Sequence, residues 1–531
     1  RGSHGVPSVE REVTVLFSDI VGFTGISQKY PPDDVVDLLN AHFTLMNQAI
    51  GAEGGNIDKY AGDSVMAFWG APAERPDHAA ACLRAARRIA SLIREDNRKR
   101  VAQGEEPIHI RIGIATGTAI VGNIGAPDRV NYTIVGDTVN VANRLEQLGK
   151  QVAPEADVCV LIVAETRKAK MKIKSVDVIP LQIPFEDGSA GTGLMPTKWD
   201  KLDIVLVRIE TEDGIVGWGD GFAYSCRRAI AAAIEDMVAP LIVGREIEDI
   251  AALNSELQLR LHLHGRYGIT MFAISAVDIA LWDIDAKRER ASLAKLLAMR
   301  PRTTLPAYAS LVRYADPDLV RSFAAKVVGE GYKTVKLHEI SLDAIKAGRQ
   351  GAGLETKLAT DVNCNWSMEQ AHEIMPHMRR LDLYWVEEPV FPPDDAETLG
   401  TLQAEYGVAI ASGENACTSV EFARTAPRIK YLQPSVTKVG GISEFLRVCD
   451  VAEEYGASVM PHAPYFGPGY WATIQLMAAR EICEQFEHLY IEPEAYLDPD
   501  IPLPSGGRVQ VPDRPGIGFE PDMDVIEKFK I

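Results

Sequence analysis

The sequence of 531 residues contains no apolar run long enough to cross a membrane and no stretch that resembles a secretory signal. A membrane-spanning helix needs about 20 consecutive apolar residues, so we expect no membrane partner. Positive charge is also scarce, because 74 acidic residues outnumber 55 basic ones and leave a net charge of −19. Such a chain repels nucleic-acid phosphates, so we expect no nucleic-acid partner.

The seven cysteines are scattered and form no Cys-x-x-Cys pair. Free thiols of this kind are typical of a reducing compartment, which indicates a cytoplasmic protein. A chain of this length exceeds what one hydrophobic core can organise, so it should divide into two or more domains. The opening residues RGSHG resemble the remnant of an expression tag, and residues 1–10 are therefore set apart from the fold.

Residues 11–170 predict one α+β domain. A short β-branched strand at 13–17 is followed by helical periodicity over 32–52, a hairpin around Gly62, a second helix and a strand at 109–114. The order strand, helix, hairpin, helix, strand favours a ferredoxin-like arrangement.

The chain changes character after Lys170. Met171 opens a new β-rich segment, as an original start codon would, and the join is either a natural fusion or an engineered one. From Thr304 onward strand-like and helical stretches alternate, which predicts a parallel sheet closed into a (β/α) barrel. Residues 171–300 mix strands with helices and read as an added domain.

Two aspartates in the first part are candidate ligands of a hard divalent cation. Asp19 ends a strand and Asp63 lies in a tight turn, so both carboxylates can face one point. Further along, Asn140 and Arg144 are four residues apart and share one face of a predicted helix. An amide donor and a guanidinium together suit an anionic group with charge spread over several oxygens.

These residues stand in motifs that resemble the catalytic domain of class III nucleotidyl cyclases, over about residues 11–168. The matched motifs are FSDIVGFT (17–24), KYAGDSVMAF (59–68), RIGIATGTAIVGNIG (111–125) and NYTIVGDTVNVANR (131–144). The resemblance implies that Asp19 and Asp63 bind two Mg²⁺ or Mn²⁺ ions per site, which activate the ribose 3′-hydroxyl for attack on the α-phosphate. It also implies that Asn140 orients the ribose and Arg144 stabilises the transition state.

By the same resemblance, Lys59 and Thr133 read the nucleotide base and favour ATP, since guanylate enzymes usually carry a glutamate in place of Lys59. The family builds each site from two subunits, so a homodimer through this domain is expected. The sequence departs from the family near Lys170, where further strands and a phosphate-binding lysine have no counterpart. An active cyclase and an inactive dimerising or nucleotide-sensing module both remain open.

A second set of carboxylates lies far downstream. Asp361, Glu387 and Glu414 each follow a strand-like segment, at a spacing close to the roughly 30 residues of one βα unit. The carboxyl ends of barrel strands converge on one face, so the three carboxylates can form an oxygen-only Mg²⁺ site.

This part resembles the mandelate racemase/muconate lactonizing group of the enolase superfamily. The matched motifs are VKLH (335–338), DVN (361–363), VEEP (386–389), GEN (413–415), QPSVTKVGG (433–441), PH (461–462) and IEP (491–493). The resemblance implies a capping domain at 171–300, a (β/α)7β TIM-type barrel at 301–480, and a return to the capping domain at 481–531. It also implies one Mg²⁺ per barrel and a higher homo-oligomer through this half.

The implied chemistry is removal of the proton α to the carboxylate of a small carboxylate or sugar acid. Lys336 would neutralise the substrate carboxylate, and His338 would be the base on one face. His462 matches a histidine on the opposite face, where it would act as a base or as the acid that expels a hydroxyl group. Glu492 matches a glutamic acid that hydrogen-bonds the enediolate.

The sequence departs from the racemases of this group at Ser435, where an aspartate normally pairs with the histidine at 462. Lys438 either compensates for that loss or is an ordinary surface charge. Two effective bases would racemise, whereas a weak His462 favours dehydration of an acid sugar. The segment Pro184–Asp200 reads as a lid over the barrel or as a disordered loop.

Overall fold

The computed structural model describes residues 9–126, 129–152, 156–163, 171–189, 199–298 and 300–531. The chain divides into two units, residues 1–170 and residues 171–531. The division falls at Met171, where the sequence changes character. Within the described ranges, no helix is both long and apolar enough to span a bilayer.

The first unit is a mixed sheet with helices packed against it. Its strands are β1 (Val9–Ile20), β2 (Asn56–Ala61), β3 (Ser64–Trp69), β4 (Ile110–Ala126), β5 (Arg129–Val135) and β6 (Val158–Ile162). Its helices are α1 (Phe23–Lys29), α2 (Pro32–Ala52), α3 (His78–Ala102) and α4 (Asp137–Val152). Residues 164–170, where the sequence favours the start of a helix, lie outside the described residues.

Strand β1 is central in this sheet, whose order is β2-β3-β1-β4-β5, with β6 paired in parallel to β4. Its side chains alternate between two buried faces: Val13 and Val15 join one core cluster, and Leu16 joins the other with helix residues Met46 and Ile89. Burial on both faces explains why residues 13–17 of β1 are almost all apolar. The α+β prediction for this unit is confirmed.

The second unit begins with a capping domain. Its strands are β7 (Met171–Glu186), β8 (Lys201–Thr211), β9 (Val216–Phe222) and β10 (Glu246–Ile247). Its α-helices are α5 (Arg227–Ala233), α6 (Ile250–Arg260), α7 (Ile269–Arg288) and α8 (Leu293–Leu297). The antiparallel sheet β7-β8-β9 packs on α7, which is buried along nearly its whole length. Most of the predicted lid, residues 190–198, lies outside the described residues.

A barrel follows the capping domain. Its strands are β11 (Thr304–Ser310), β12 (Thr334–Leu337), β13 (Lys357–Asp361), β14 (Leu383–Glu387), β15 (Ile410–Ser412), β16 (Tyr431–Leu432), β17 (Ser458–Val459) and β18 (Phe486–Leu489). The helices between them are α9 (Pro317–Gly329), α10 (Leu342–Ala352), α11 (Met368–Arg380), α12 (Ala396–Tyr406), α13 (Thr418–Thr425), α14 (Gly441–Tyr455) and α15 (Pro468–Ala479). This is the (β/α)7β order that the resemblance implied.

The eight barrel strands are parallel and follow the order β17-β16-β15-β14-β13-β12-β11-β18. A parallel bridge between Val459 and Cys483 brings the two ends of the sheet together. The interior is filled by side chains from several strands, namely Tyr308, Ala359, Trp385, Ala411, Tyr431 and Met460. The barrel is therefore a packed core with its open face at the carboxyl ends of the strands.

The chain then returns to the capping domain through β19 (Glu492–Pro493), β20 (Arg508–Gln510) and α16 (Met523–Phe529). Strand β19 pairs with β7, and β20 pairs with β11. The C-terminal strands β19 and β20 therefore join the capping domain and the barrel, respectively, to the end of the chain.

The contact between β9 and α7 predicts a specific sensitivity to added volume. A Cβ at Gly219 would lie 1.9 Å from the Ala276 carbonyl oxygen. We expect Gly219→Ala to lower the free energy of unfolding of the second unit by about 1–3 kcal/mol or more. The control is Gly329→Ala, where a Cβ meets nothing within 4 Å. Equal stabilities of the two variants in urea denaturation would contradict this packing.

Candidate active sites

Two aspartates meet at the end of strand β1 in the first unit. Asp19 is the penultimate residue of β1, and Asp63 occupies the turn between β2 and β3. Oδ2 of Asp63 accepts a hydrogen bond from the backbone N–H of Ile20 at 3.2 Å. Oδ1 of Asp19 accepts one from the Ser64 hydroxyl at 2.6 Å. These bonds hold the two carboxylates at the same end of the sheet.

Lys150, near the end of α4, belongs to this cluster although no motif pointed to it. Its Nζ atom lies 2.6 Å from Oδ2 of Asp19 and 3.2 Å from Oε1 of Glu146. Burial opposes ionisation of Asp19, but the hydrogen bonds from Lys150 and Ser64 outweigh it and lower its pKa. Burial and the charge of Asp19 raise the pKa of Asp63 to about 6.

The other four predicted residues of this unit are exposed or partly exposed. Asn140 and Arg144 lie on the exposed face of α4. Lys59 is exposed, with its Nζ atom 3.0 Å from Oδ2 of Asp58, and the Thr133 hydroxyl has no hydrogen-bond partner in the described part of the chain. No hydrogen bond or ion pair among the described residues connects these four to the two aspartates within one chain.

Three carboxylates converge at the mouth of the barrel. Asp361 is the last residue of β13, Glu387 is the last residue of β14, and Glu414 lies two residues after β15. One oxygen atom from each lies within 4.8 Å of the other two. Neighbouring parallel strands end at the same edge of the sheet, which is why residues this far apart in sequence meet here.

Lys336 lies buried at the base of this cluster. Its Nζ atom is 3.0 Å from Oε1 of Glu387, 3.6 Å from Oδ2 of Asp361 and 2.8 Å from Oε1 of Glu487. Burial disfavours the ammonium, but the surrounding carboxylates outweigh burial and hold the pKa of Lys336 well above its usual value. A lysine in this environment stays charged and offsets part of the repulsion between the carboxylates.

The carboxylates at the barrel mouth form two groups, one with raised pKa values and one with lowered pKa values. Burial and mutual repulsion raise the pKa of Asp361 to about 6 and that of Glu387 to about 8. Burial opposes ionisation of Glu414 and Glu487 as well, but neighbouring cations outweigh it. For Glu414 these are His462 and Lys438, and its pKa lies well below the usual value. For Glu487 the main one is Lys336, and its pKa is lowered to about 2.

The structure corrects the assignment of Glu492. That side chain is exposed, and the residue pairs with Glu186 of the capping sheet. The barrel glutamate is Glu487, on β18, which contacts Lys336 and accepts a hydrogen bond from the backbone N–H of Ala463. After β18 the chain pairs with the capping sheet through β19, which directs Glu492 away from the barrel.

The two predicted histidines lie at the barrel mouth. The Nδ1 atom of His338 contacts the carbonyl oxygen of Leu311, so Nδ1 carries the proton and Nε2, 3.4 Å from Oδ2 of Asp361, is free to accept one. Burial and the charge of Lys336 lower the pKa of His338 to about 4, which keeps the ring neutral. The Nε2 atom of His462 lies 2.9 Å from Oε2 of Glu414.

In the described structure no hydrogen bond joins the Ser435 hydroxyl to the His462 ring. That hydroxyl bonds to the Tyr465 hydroxyl at 2.8 Å, and Nδ1 of His462 is buried without a hydrogen-bond partner among the described residues. Lys438 is only 2% exposed, so the interpretation as an ordinary surface charge is wrong.

A cavity of about 210 Å³ opens above these residues. His338, Asn363, Glu414, Asn415, Lys438, His462, Pro464, Glu487 and Leu489 line it from the barrel, and Trp199, Phe222 and Tyr224 line it from the capping domain. The Tyr224 hydroxyl donates to the Pro464 carbonyl oxygen at 2.8 Å and so fastens the aromatic roof to the barrel. The cavity therefore combines polar and charged side chains of the barrel with an aromatic wall from the capping domain.

The donor set of the barrel fits a hard divalent cation. It consists of carboxylate oxygens only, and Oδ2 of Asp361 is buried without a hydrogen bond in the described structure. A cation placed among Asp361, Glu387 and Glu414 would satisfy that atom and relieve the repulsion that raises two of the pKa values.

Three family models match the chain in succession. The adenylate and guanylate cyclase catalytic domain matches residues 7–175. The mandelate racemase/muconate lactonizing enzyme N-terminal domain matches residues 172–298, and the enolase C-terminal domain-like model matches residues 318–525. An arabinonate dehydratase from Saccharolobus solfataricus is 30% identical over 344 residues, which cover 62% of this chain and 91% of that protein.

The second unit belongs to the mandelate racemase/muconate lactonizing enzyme family. A racemase of Streptomyces coelicolor A3(2), solved with bound magnesium, matches with a TM-score of 0.60 and 26% identity, over 68% of this chain and 100% of that one. The first unit is similar to adenylate and guanylate cyclase catalytic domains. Adenylate cyclase 1 of Rhizobium meliloti is 37% identical to it over 179 residues, which are 32% of this chain and 27% of that protein.

The raised carboxylate pKa values predict how Mg²⁺ and protons compete. Without metal, Asp361 and Glu387 bind more protons in the folded barrel than in the unfolded chain between about pH 4.5 and about pH 8. The free energy of unfolding of the metal-free unit therefore falls as pH rises through this window. The stabilisation that bound Mg²⁺ adds increases over the same range. Thermal melts should show a larger Mg²⁺-dependent rise in Tm at pH 8 than at pH 5.

Two variants assign this effect to the barrel. In Glu387→Gln, most of the difference between the Mg²⁺-dependent rise in Tm at pH 8 and that at pH 5 should disappear. In Glu373→Gln, at an exposed position on α11, this difference should remain. A rise in Tm that is the same at both pH values, or unchanged in Glu387→Gln, would contradict the account.

Proposed function

We propose that the second unit dehydrates a sugar acid by removing the proton α to its carboxylate. The observation that carries this proposal is that two histidines line one cavity beside three metal-compatible carboxylates. The Leu311 carbonyl group fixes the tautomer of His338 that leaves Nε2 free to accept a proton, and Nε2 of His462 lies next to Glu414. One residue can take a proton while the other gives one.

In this scheme the substrate carboxylate binds near Lys336, whose charge is fixed by Glu487. Nε2 of His338 removes the proton from C2, and the electron pair left behind forms the C2–C3 double bond as the hydroxyl group leaves C3. His462 donates the proton that turns this hydroxyl into water, and the enol product becomes a 2-keto acid. Bound by Asp361, Glu387 and Glu414, Mg²⁺ would supply positive charge for the carboxylate as negative charge develops on it.

The dehydratase function is favoured over racemisation by the contacts of His462. A racemase needs two effective bases, and Ser435 bonds to Tyr465 instead of supporting His462. His462 instead donates to Glu414, which suits a proton donor.

The barrel prediction is tested with a screen of sugar acids in Mg²⁺. Wild-type protein should release a 2-keto acid, detected as its semicarbazone. Glu387→Gln should lower kcat by roughly 1000-fold or more, because developing charge loses its stabilising cation. Circular dichroism should stay unchanged, since the amide keeps the side-chain volume. Exchange of the C2 proton in D₂O without loss of water would indicate a racemase, and full activity of Glu387→Gln would refute the metal site.

We propose that the first unit forms cyclic AMP and pyrophosphate from ATP as a homodimer. Asp19 and Asp63 lie together, whereas Lys59, Thr133, Asn140 and Arg144 have no bond to them within one chain, as expected when a second subunit completes each site. Divalent ions held by the two aspartates would lower the pKa of the ribose 3′-hydroxyl and neutralise the leaving pyrophosphate. Lys150 lowers the pKa of Asp19 and so favours the ionised carboxylate, which is the form that binds a divalent ion.

The cyclase prediction is tested with ATP and Mn²⁺ on a sample whose mass is measured by ultracentrifugation. Cyclic AMP should form, and Asp63→Asn should reduce it by roughly 1000-fold. Glu387→Gln serves as the matched control, because it removes a carboxylate of the other unit and should leave cyclic AMP formation unchanged. A dimeric wild-type sample that makes no cyclic AMP would show the unit to be an inactive module.

A further inference from the structure

Glu146 is a buried carboxylate in the first unit to which the proposed cyclisation gives no role. It lies on α4, and its side chain is only 3% exposed. Its Oε1 atom lies 3.2 Å from Nζ of Lys150, one helical turn further along, and its Oε2 atom accepts a hydrogen bond from Nε2 of Gln147 at 2.6 Å. A buried carboxylate loses its hydration, so burial by itself gives this ion pair no advantage over an exposed one.

An exposed pair with the same spacing lies on α3. Nζ of Lys99 lies 3.1 Å from Oε1 of Glu95, and the two side chains are 67% and 50% exposed. In the described ranges no hydrogen bond or ion pair joins either residue to the two candidate aspartates. Surface pairs of this kind contribute little to stability. The pair on α4 differs because it is buried on the glutamate side and because its lysine also contacts Asp19.

The Lys150 ammonium joins Glu146 to Asp19. Its Nζ atom donates to Oδ2 of Asp19 at 2.6 Å, and Oδ1 of the same carboxylate accepts a hydrogen bond from the Ser64 hydroxyl at 2.6 Å. One contact on each oxygen fixes the rotation of the carboxylate group. Each carboxylate oxygen carries a second lone pair, so Asp19 can still bind an ion while both contacts are made.

The close packing of α4 on the sheet holds the Glu146 backbone in place. A Cβ at Gly113 of β4 would lie 2.0 Å from the Ala142 carbonyl oxygen and 2.3 Å from the backbone nitrogen of Glu146. Gly113 pairs with Phe17, which lies two residues before Asp19 on β1. The helix therefore approaches the strand beside Asp19 closely, and it can fix the position from which Lys150 reaches that carboxylate.

We propose that Glu146 is a positioning residue that acts through Lys150 to hold Asp19 in the orientation that receives a divalent ion. The proposal rests on the proposed cyclase function and adds two side chains of α4 to its ion site. Groups that orient a metal ligand without touching the metal contribute about 10- to 100-fold to affinity. A direct attraction between the Glu146 charge and the ion would need no lysine, and this difference can be measured.

Mn²⁺ binding to the full chain at pH 8 tests the proposal, with the free ion measured by electron paramagnetic resonance. Every sample carries Glu387→Gln, which removes a ligand of the barrel site. Glu146→Gln should raise the Kd for Mn²⁺ about tenfold. In a Lys150→Met background the same change should alter Kd by less than about twofold, because no ammonium remains for Glu146 to hold. In a Lys150→Arg background, which keeps a charged donor, the effect of Glu146→Gln should persist.

Two further variants separate positioning from charge and from folding. Glu146→Asp keeps the charge but withdraws it from Lys150, so it should also raise the Kd. Glu95→Gln breaks the exposed pair on α3 and should leave the Kd unchanged. Circular dichroism checks that each variant is folded.

An equal or larger effect of Glu146→Gln in the Lys150→Met background would indicate a direct action on the ion and overturn the proposal. An unchanged Kd in both Glu146 variants would overturn it as well. If the parent protein with Glu387→Gln binds no Mn²⁺, the proposal fails together with the ion site of the first unit. If the dependence on Lys150 is found but dimeric protein forms no cyclic AMP, the cyclase function fails and the positioning role of Glu146 stands.

Discussion

The barrel site depends on one buried ammonium among carboxylates. Lys336 contacts Glu387 and Glu487 directly and lies near Asp361, where repulsion between the acids would otherwise be large. Trp385, which fills part of the barrel interior, donates a hydrogen bond to Oε2 of Glu387 at 3.1 Å. Negative charge is therefore concentrated at these carboxylates, and a divalent cation is the partner that best reduces their mutual repulsion.

The cyclase unit uses the same physical device on a different fold. Lys150 holds Asp19 ionised while Asp63, beside it, has a raised pKa. In the first unit Lys150 keeps Asp19 ionised at the edge of a mixed sheet, and in the barrel Lys336 keeps Glu487 ionised beside the three metal-compatible carboxylates. Both units need positive charge that stabilises the negative charge developing on a reacting anionic substrate.

The family resemblances implied both folds and named the carboxylates of both clusters, and the barrel carboxylates also stand at the ends of successive strand-like segments. Asp361, Glu387 and Glu414 follow successive βα units, so their convergence follows from topology. Glu487 was missed in favour of Glu492, since only the path of the chain after β18 decides which glutamate faces inward. The partners of Lys150 and Lys438 depend on side-chain packing between distant elements, which no local pattern encodes.

The most direct test of the central claim is anomalous diffraction from crystals grown with Mn²⁺ in place of Mg²⁺. The account predicts a peak bounded by Asp361, Glu387 and Glu414, with the Lys336 ammonium displaced from Glu387 towards Glu487. Crystals that diffract well in Mn²⁺ but show no peak at these three carboxylates would contradict it.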